Sequence, residues 1–190
     1  MTTTMTNKIS VRNSKFAKIG LQDLCDYIKD NIKIRPEDFE MIEIGSYVGD
    51  STKIFAENFG RVISIDPYEN GYDDKDASSF TYPMKQIYDQ FHEEVLLKYK
   101  NVVHMPLKSL QAVSLFGDQS MHMVYVDGNH RGFAVHDDLE AWIPKVKLGY
   151  YIAGHDYNNR KHAPEVKDAV DQFFTIDMSF RDTSWIKRLI

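Results

Sequence analysis

A single cysteine, Cys25, is all the thiol the chain contains, so no internal disulfide can form. No stretch approaches the ~20 apolar residues that a membrane-spanning helix needs. The 23 lysines and arginines are outnumbered by 28 acidic residues, giving a formal charge of −5. They form no clustered stripe, so DNA and RNA are not expected partners. Internal repeats, low-complexity tracts and linkers are missing as well. The opening Met-Thr-Thr-Thr-Met-Thr-Asn-Lys lacks the apolar centre of a secretion signal, and the expectation is a frayed start of a cytoplasmic protein.

What is present is a chain of 190 residues, 43% of them aliphatic or aromatic, enough for one sizeable core. The stretch from 39 to 67 organises the rest. Met41, Ile42 and Ile44 form a short apolar run that stops at Gly45; Gly49 follows, and a helical pattern through Ile54, Phe55 and Phe59 begins directly after. That is a strand, a glycine turn and a helix. Gly45 and Gly49 remove side chains where the backbone turns and leave the helix N-terminus open to a ligand. A second strand, Val62 to Ile65, delivers Asp66 about 20 residues past the turn, where a carboxylate can accept hydrogen bonds from a ribose diol. A nicotinamide or flavin fingerprint has three glycines, G-x-G-x-x-G, because a pyrophosphate must touch the backbone. Tyr47 stands where the second of them would be, which disfavours a dinucleotide. Taken alone, such a turn is also compatible with a βαβ unit that holds no ligand.

Residues 1–38 are expected to be a polar tail and a packing helix, with Leu21, Leu24, Cys25, Ile28 and Ile32 on one face; the main domain spans 39–190. After Asp66 comes a long polar and aromatic stretch, 67–83, without periodicity. It reads as a lid or acceptor-side loop, or as a merely flexible one. Helices are then expected at 84–99, 108–116, 133–144 and 165–174, and strands at 101–106, 121–127 and 147–154. Two short segments, 177–180 and 183–190, suit a closing hairpin. Alternation of this kind gives an α/β fold, a mainly parallel sheet with helices on both faces and every strand's carboxyl end on one edge. Glu43, Gly45, Asp66, Asp127, His130, His155 and Asp156 all fall at that edge.

The run Glu43-Ile44-Gly45-Ser46-Tyr47-Val48-Gly49, with Asp66 downstream, resembles the first two motifs of the class I S-adenosylmethionine-dependent methyltransferases. The pairing of Asp127-Gly128-Asn129-His130 with His155-Asp156-Tyr157 resembles their metal-dependent O-methyltransferase branch, which includes catechol methyltransferase-like, macrolide-sugar and cephalosporin hydroxylase-like enzymes. The resemblance implies a Rossmann-like fold with a seven-stranded sheet over about residues 39–190. It implies cofactor contacts from Glu43 near the methionine amino group, from Gly45, Ser46, Tyr47, Gly49 and Ser51 in the turn and helix start, from Asp66 and Pro67 at the ribose, from Ser109 near the adenine, and from Asp127. It further implies a divalent ion held by Asp127, His155 and Asp156. Oxygen ligands suit Mg²⁺, while the imidazole of His155 tilts the set towards Mn²⁺, Fe²⁺ or Zn²⁺. His130, three residues after Asp127, takes the place of the base, and an unperturbed pKa of about 6.5 suits the role. A helix cap for Ser109 and a structural bond for His130 are the plainer alternatives. His92, His104, His122 and His136 read as core or surface residues, while Tyr157, Trp142 and Trp185 are candidates for the wall of an acceptor pocket, with the core as the plainer alternative. The activity expected is metal-assisted methylation of a small-molecule or sugar hydroxyl. Assembly into a homo-oligomer is left open. The competing readings are an NAD-dependent oxidoreductase and a non-catalytic nucleotide- or metal-binding module.

Overall fold

The computed structural model describes residues 8–10, 15–73 and 76–190; the opening expected to be frayed falls mostly outside them. In chain order the elements are α1 (Lys15–Asn31), β1 (Glu40–Ile44), α2 (Asp50–Asn58), β2 (Arg61–Ile65), α3 (Ser78–Thr81), α4 (Met84–Phe91), β3 (Val102–Met105), α5 (Ser109–Ala112), β4 (Met121–Val126), α6 (Gly132–Trp142), β5 (Val146–Gly154), α7 (Val166–Asp171), β6 (Met178–Ser179) and β7 (Trp185–Arg188). Seven strands make one sheet in the order β3-β2-β1-β4-β5-β7-β6. The first five are parallel, and β7 runs antiparallel to both β5 and β6. The expected α/β architecture and C-terminal hairpin are both present.

Strand residues alternate between two apolar layers. Ile42, Val124 and Ile152 pack with Leu139 and Trp142 of α6 and Val170 of α7. Met41, Met123, Tyr125 and Tyr151 pack on the other face with Leu21, Leu24 and Ile28 of α1 and Phe55 of α2. Period-two alternation in the strands and a 3.6-residue period in the helices are what let both faces close. Trp142 and Trp185 are fully buried core residues. Among the described residues, no helix is long and apolar enough to cross a membrane.

Two segments differ from the sequence expectation. The single helix expected at 84–99 is α4 followed by a π-helical turn, His92–Leu96, which brings both Phe91 and Val95 into the core. The aperiodic stretch 67–83 contains α3, four residues long and too short to show a period. Its Ser79 hydroxyl donates to the carbonyls of Asp73 and Asp76.

Candidate active site

Register places the site. Ile44 pairs with Ile65 on one side and Val126 on the other, and Val126 pairs with Gly154. The ladder runs one residue beyond each strand: Gly45 N donates to Ile65 O (2.9 Å), Asp127 N to Ile44 O (2.9 Å) and His155 N to Val126 O (3.1 Å). Gly45, Asp66, Asp127 and His155 therefore stand in one row. Strand order reverses between β1 and β4, and open α/β sheets bind ligands in the crevice at such a reversal.

Gly45 has φ +81°, and a Cβ there would lie 2.2 Å from the Asp127 carbonyl oxygen. Only glycine lets the ends of β1 and β4 approach this closely. Gly49 (φ +83°) has a different neighbourhood, since a Cβ would lie 2.3 Å from Val95 Cγ2 and 2.9 Å from Phe91 Cδ2. It accommodates the π-helical turn, not the crevice. Between them Tyr47 also takes a positive φ, 47°. Asp66 braces this turn: its Oδ2 accepts from Ser46 N (3.1 Å) and Tyr47 N (3.0 Å), and its Oδ1 from Tyr68 N (2.8 Å). Burial raises the Asp66 pKa, and the three N–H donors pull it the other way.

Above the turn lies a cavity of about 610 Å³, within the usual range for a small-ligand site. Of the residues expected at the cofactor, Gly45, Tyr47, Asp66, Pro67, Ser109 and Asp127 line it. Glu43, Ser46, Gly49 and Ser51, also expected at the cofactor, do not line it and are buried. Glu43 is fully buried, and its Oε2 accepts from Thr52 Oγ1 at 2.5 Å, tying β1 to α2. Ser109 is no simple helix cap. It accepts from Trp142 Nε1 (2.7 Å) and donates to Asp138 Oδ1 (2.5 Å). Asp138 also lines the cavity, and burial pushes its carboxyl up to about 6. Sequence reading missed it, although a carboxylate among Val135, Leu139 and Trp142 on a buried helix face was a legible signal.

The acidic and histidine residues converge beside the cavity. His130 Nε2 is 3.0 Å from Asp156 Oδ2 and 3.8 Å from Asp127 Oδ1, and its Nδ1 is 3.5 Å from Asp76 Oδ2. His155 Nδ1 is 3.2 Å from Asp156 Oδ1 and 3.6 Å from Asp127 Oδ1. Asp156 reaches this position through a positive φ of 62°. Asp127, His130 and Asp156 offer ligand atoms that all lie within 4.8 Å of one another. Two of the three expected ligands are thus in that group, and its third member is His130, with His155 alongside. Burial alone would lower the His130 pKa, but Asp127, Asp156 and Asp76 together push it up to about 12. Burial would raise Asp156, yet the two imidazoles hold it well below the usual carboxylate range. Asp76 was not singled out in the sequence; His130 and Ser78 hold its carboxyl at about 2 against the effect of burial.

A cavity of about 610 Å³ at the reversal point of this sheet, with an acid after β2 and an acid-histidine cluster after β4 and β5, is the arrangement of an α/β fold with a ligand crevice at the carboxyl ends of its strands. The chain belongs to the methyltransferase domain family, whose model matches residues 42–157. It is an S-adenosylmethionine-dependent methyltransferase, and the oxidoreductase and binding-module readings give way to that. Curated protein sequences yield no match. Among solved structures, the O-methyltransferase NovP has a TM-score of 0.65 at 17% identity, over 91% of this chain and 79% of that one. A protein from Corynebacterium glutamicum gives 0.60 at 11%, over 96% and 84%. Cofactor-bound Rv0187 from MTB gives 0.60 at 14%, over 96% and 81%. At these identities the likeness speaks for the fold.

Proposed function

We propose that this methyltransferase methylates a hydroxyl of a small molecule or sugar with the help of a divalent ion. The observation that carries this reading is the convergence of Asp127 and Asp156. Two carboxylates this close repel unless a proton or a cation lies between them. His130 lies against both carboxylates, which push its pKa up to about 12, so as an imidazolium it would balance them, and metal binding would release its proton. The donor set, two carboxylates and an imidazole, fits Mn²⁺ or Fe²⁺ as well as Mg²⁺. When bound, such an ion would lower the pKa of an acceptor hydroxyl.

The chain's own residues do the rest. Asp66 and Pro67 receive the ribose, Ser109 and Asp138 face the adenine end of the cavity, and Gly45 leaves room beside Asp127. Of the two imidazoles, His130 belongs to the close group and serves as third ligand. His155 then remains to take the acceptor's proton, the reverse of the sequence expectation.

The test is a pair of variants measured for Mn²⁺ binding by calorimetry and for methyl transfer to a library of hydroxylated acceptors. His130→Ala should lose ion binding. His155→Ala should keep it while turnover falls by about 10²–10⁴, the usual contribution of a general base. The opposite pattern would return the two histidines to their expected roles, and full turnover in excess chelator would remove the ion altogether.

A further inference from the structure

Asp127 and Asp156 come from strand ends, but the carboxylate on the far side of His130 comes from the segment between β2 and α4. Asp76 is fixed there before it meets the imidazole. Its Oδ1 accepts from Ser78 N (2.9 Å), and its Oδ2 accepts from Ser78 Oγ (2.5 Å) and Tyr72 Oη (3.4 Å). That same Oδ2 lies 3.5 Å from His130 Nδ1. Two further bonds staple the segments together: His130 N donates to Asp73 Oδ2 (3.3 Å), and Asn129 Nδ2 donates to the Tyr72 carbonyl (2.7 Å). On the opposite edge of the ring, Nε2 faces Asp156 and Asp127.

An imidazole with one partner can turn about its χ2 and present either nitrogen; one with a carboxylate at each nitrogen cannot. Which nitrogen is offered to a ligand is set by the hydrogen bond that the other makes. We propose that Asp76 is a positioning residue, which holds the Nδ1–H of His130 and so directs Nε2 at the Asp127–Asp156 pair. It rests on the reading above only for the purpose of that orientation, ion binding. Tyr72 of the same segment lines the cofactor cavity, so one stretch of chain sets both a cavity wall and the direction of the imidazole.

Protein labelled with ¹⁵N-histidine tests this without an acceptor. The wild type at neutral pH should show the His130 Nδ1–H as a ring proton protected from solvent exchange. Asp76→Ala should lose that signal and bind Mn²⁺ about 10- to 100-fold more weakly, the usual effect of removing a ligand's hydrogen-bond partner. Asp76→Glu, which keeps a carboxylate on the turn, should restore both. Asp76 does not line the cavity, but Tyr72, whose hydroxyl it accepts, does, so affinity for S-adenosylhomocysteine should change far less than affinity for Mn²⁺, and circular dichroism with urea unfolding verifies the fold of each variant. Persistence of the protected proton and of Mn²⁺ affinity in Asp76→Ala would overturn the assignment. Failure of the wild type to bind S-adenosylhomocysteine would instead count against the cofactor reading, while the ring-proton comparison still decides on Asp76.

Discussion

Gly49→Ala separates packing from ligand binding in the glycine turn. An alanine at φ +83° costs about 1–2 kcal/mol, because its Cβ crowds the following carbonyl. The new methyl would also lie 2.3 Å from Val95 Cγ2, where apolar carbons normally rest about 3.5–4.0 Å apart. Val95 and Phe91 are fully buried and cannot swing away, so overpacking adds about 1–3 kcal/mol. The total, roughly 2–5 kcal/mol, should lower Tm by on the order of 10 °C in a domain of this size. Val95→Ala by itself should cost about 2 kcal/mol for two buried methyl groups. In the double variant the added methyl enters the space the valine leaves, so the two losses should fall short of their sum by about 1–3 kcal/mol. Urea unfolding of the four proteins in this cycle gives the coupling directly. Losses that simply add, to within about 0.5 kcal/mol, would refute the clash. A folded Gly49→Ala that binds S-adenosylhomocysteine weakly would show that the turn, and not the packing, is what the glycine serves.

Asp66→Ala should weaken S-adenosylhomocysteine binding by about 1.5–3 kcal/mol, the scale of hydrogen bonds to a charged group, which calorimetry reads as roughly a 10- to 150-fold rise in Kd; unaltered affinity in a folded variant would take Asp66 out of the site. Asp138 has a folded pKa of about 6 against an ordinary value of 3.8, so its protonated form is the stabilising one. Stability should fall by roughly 3 kcal/mol as pH rises from about 4 to about 6. Asp138→Asn still accepts the Ser109 hydroxyl and should abolish that slope; urea unfolding across the window with an unchanged slope would show that another group carries it.

How much of this was legible in the sequence follows from what fixes each atom. Gly45, Asp66, Asp127 and His155 each end an apolar run, and parallel register alone brings them into one row, so a linear reading finds them. Within a turn that logic stops. Ser46 and Tyr47 are neighbours, yet Tyr47 lines the cavity and Ser46 is buried and does not line it, a difference set by the positive φ of Tyr47 that no residue pattern announces. The same holds after β5, where the positive φ of Asp156 decides how the carboxylate meets the two histidines. The Asp76–His130 contact is further out of reach, because it depends on how the 67–83 segment folds back over the loop after β4. The two halves of the site are therefore built by different means. Gly45, Asp66, Asp127 and His155 stand at strand ends, where the ladder that apolar patterning specifies runs on by one residue. His130 and Asp76 stand on two loops that hold each other, and their pairing is a tertiary fact. A methyltransferase can keep the first half and exchange the second, which is why the cofactor can be argued from the chain and the acceptor has to be found at the bench.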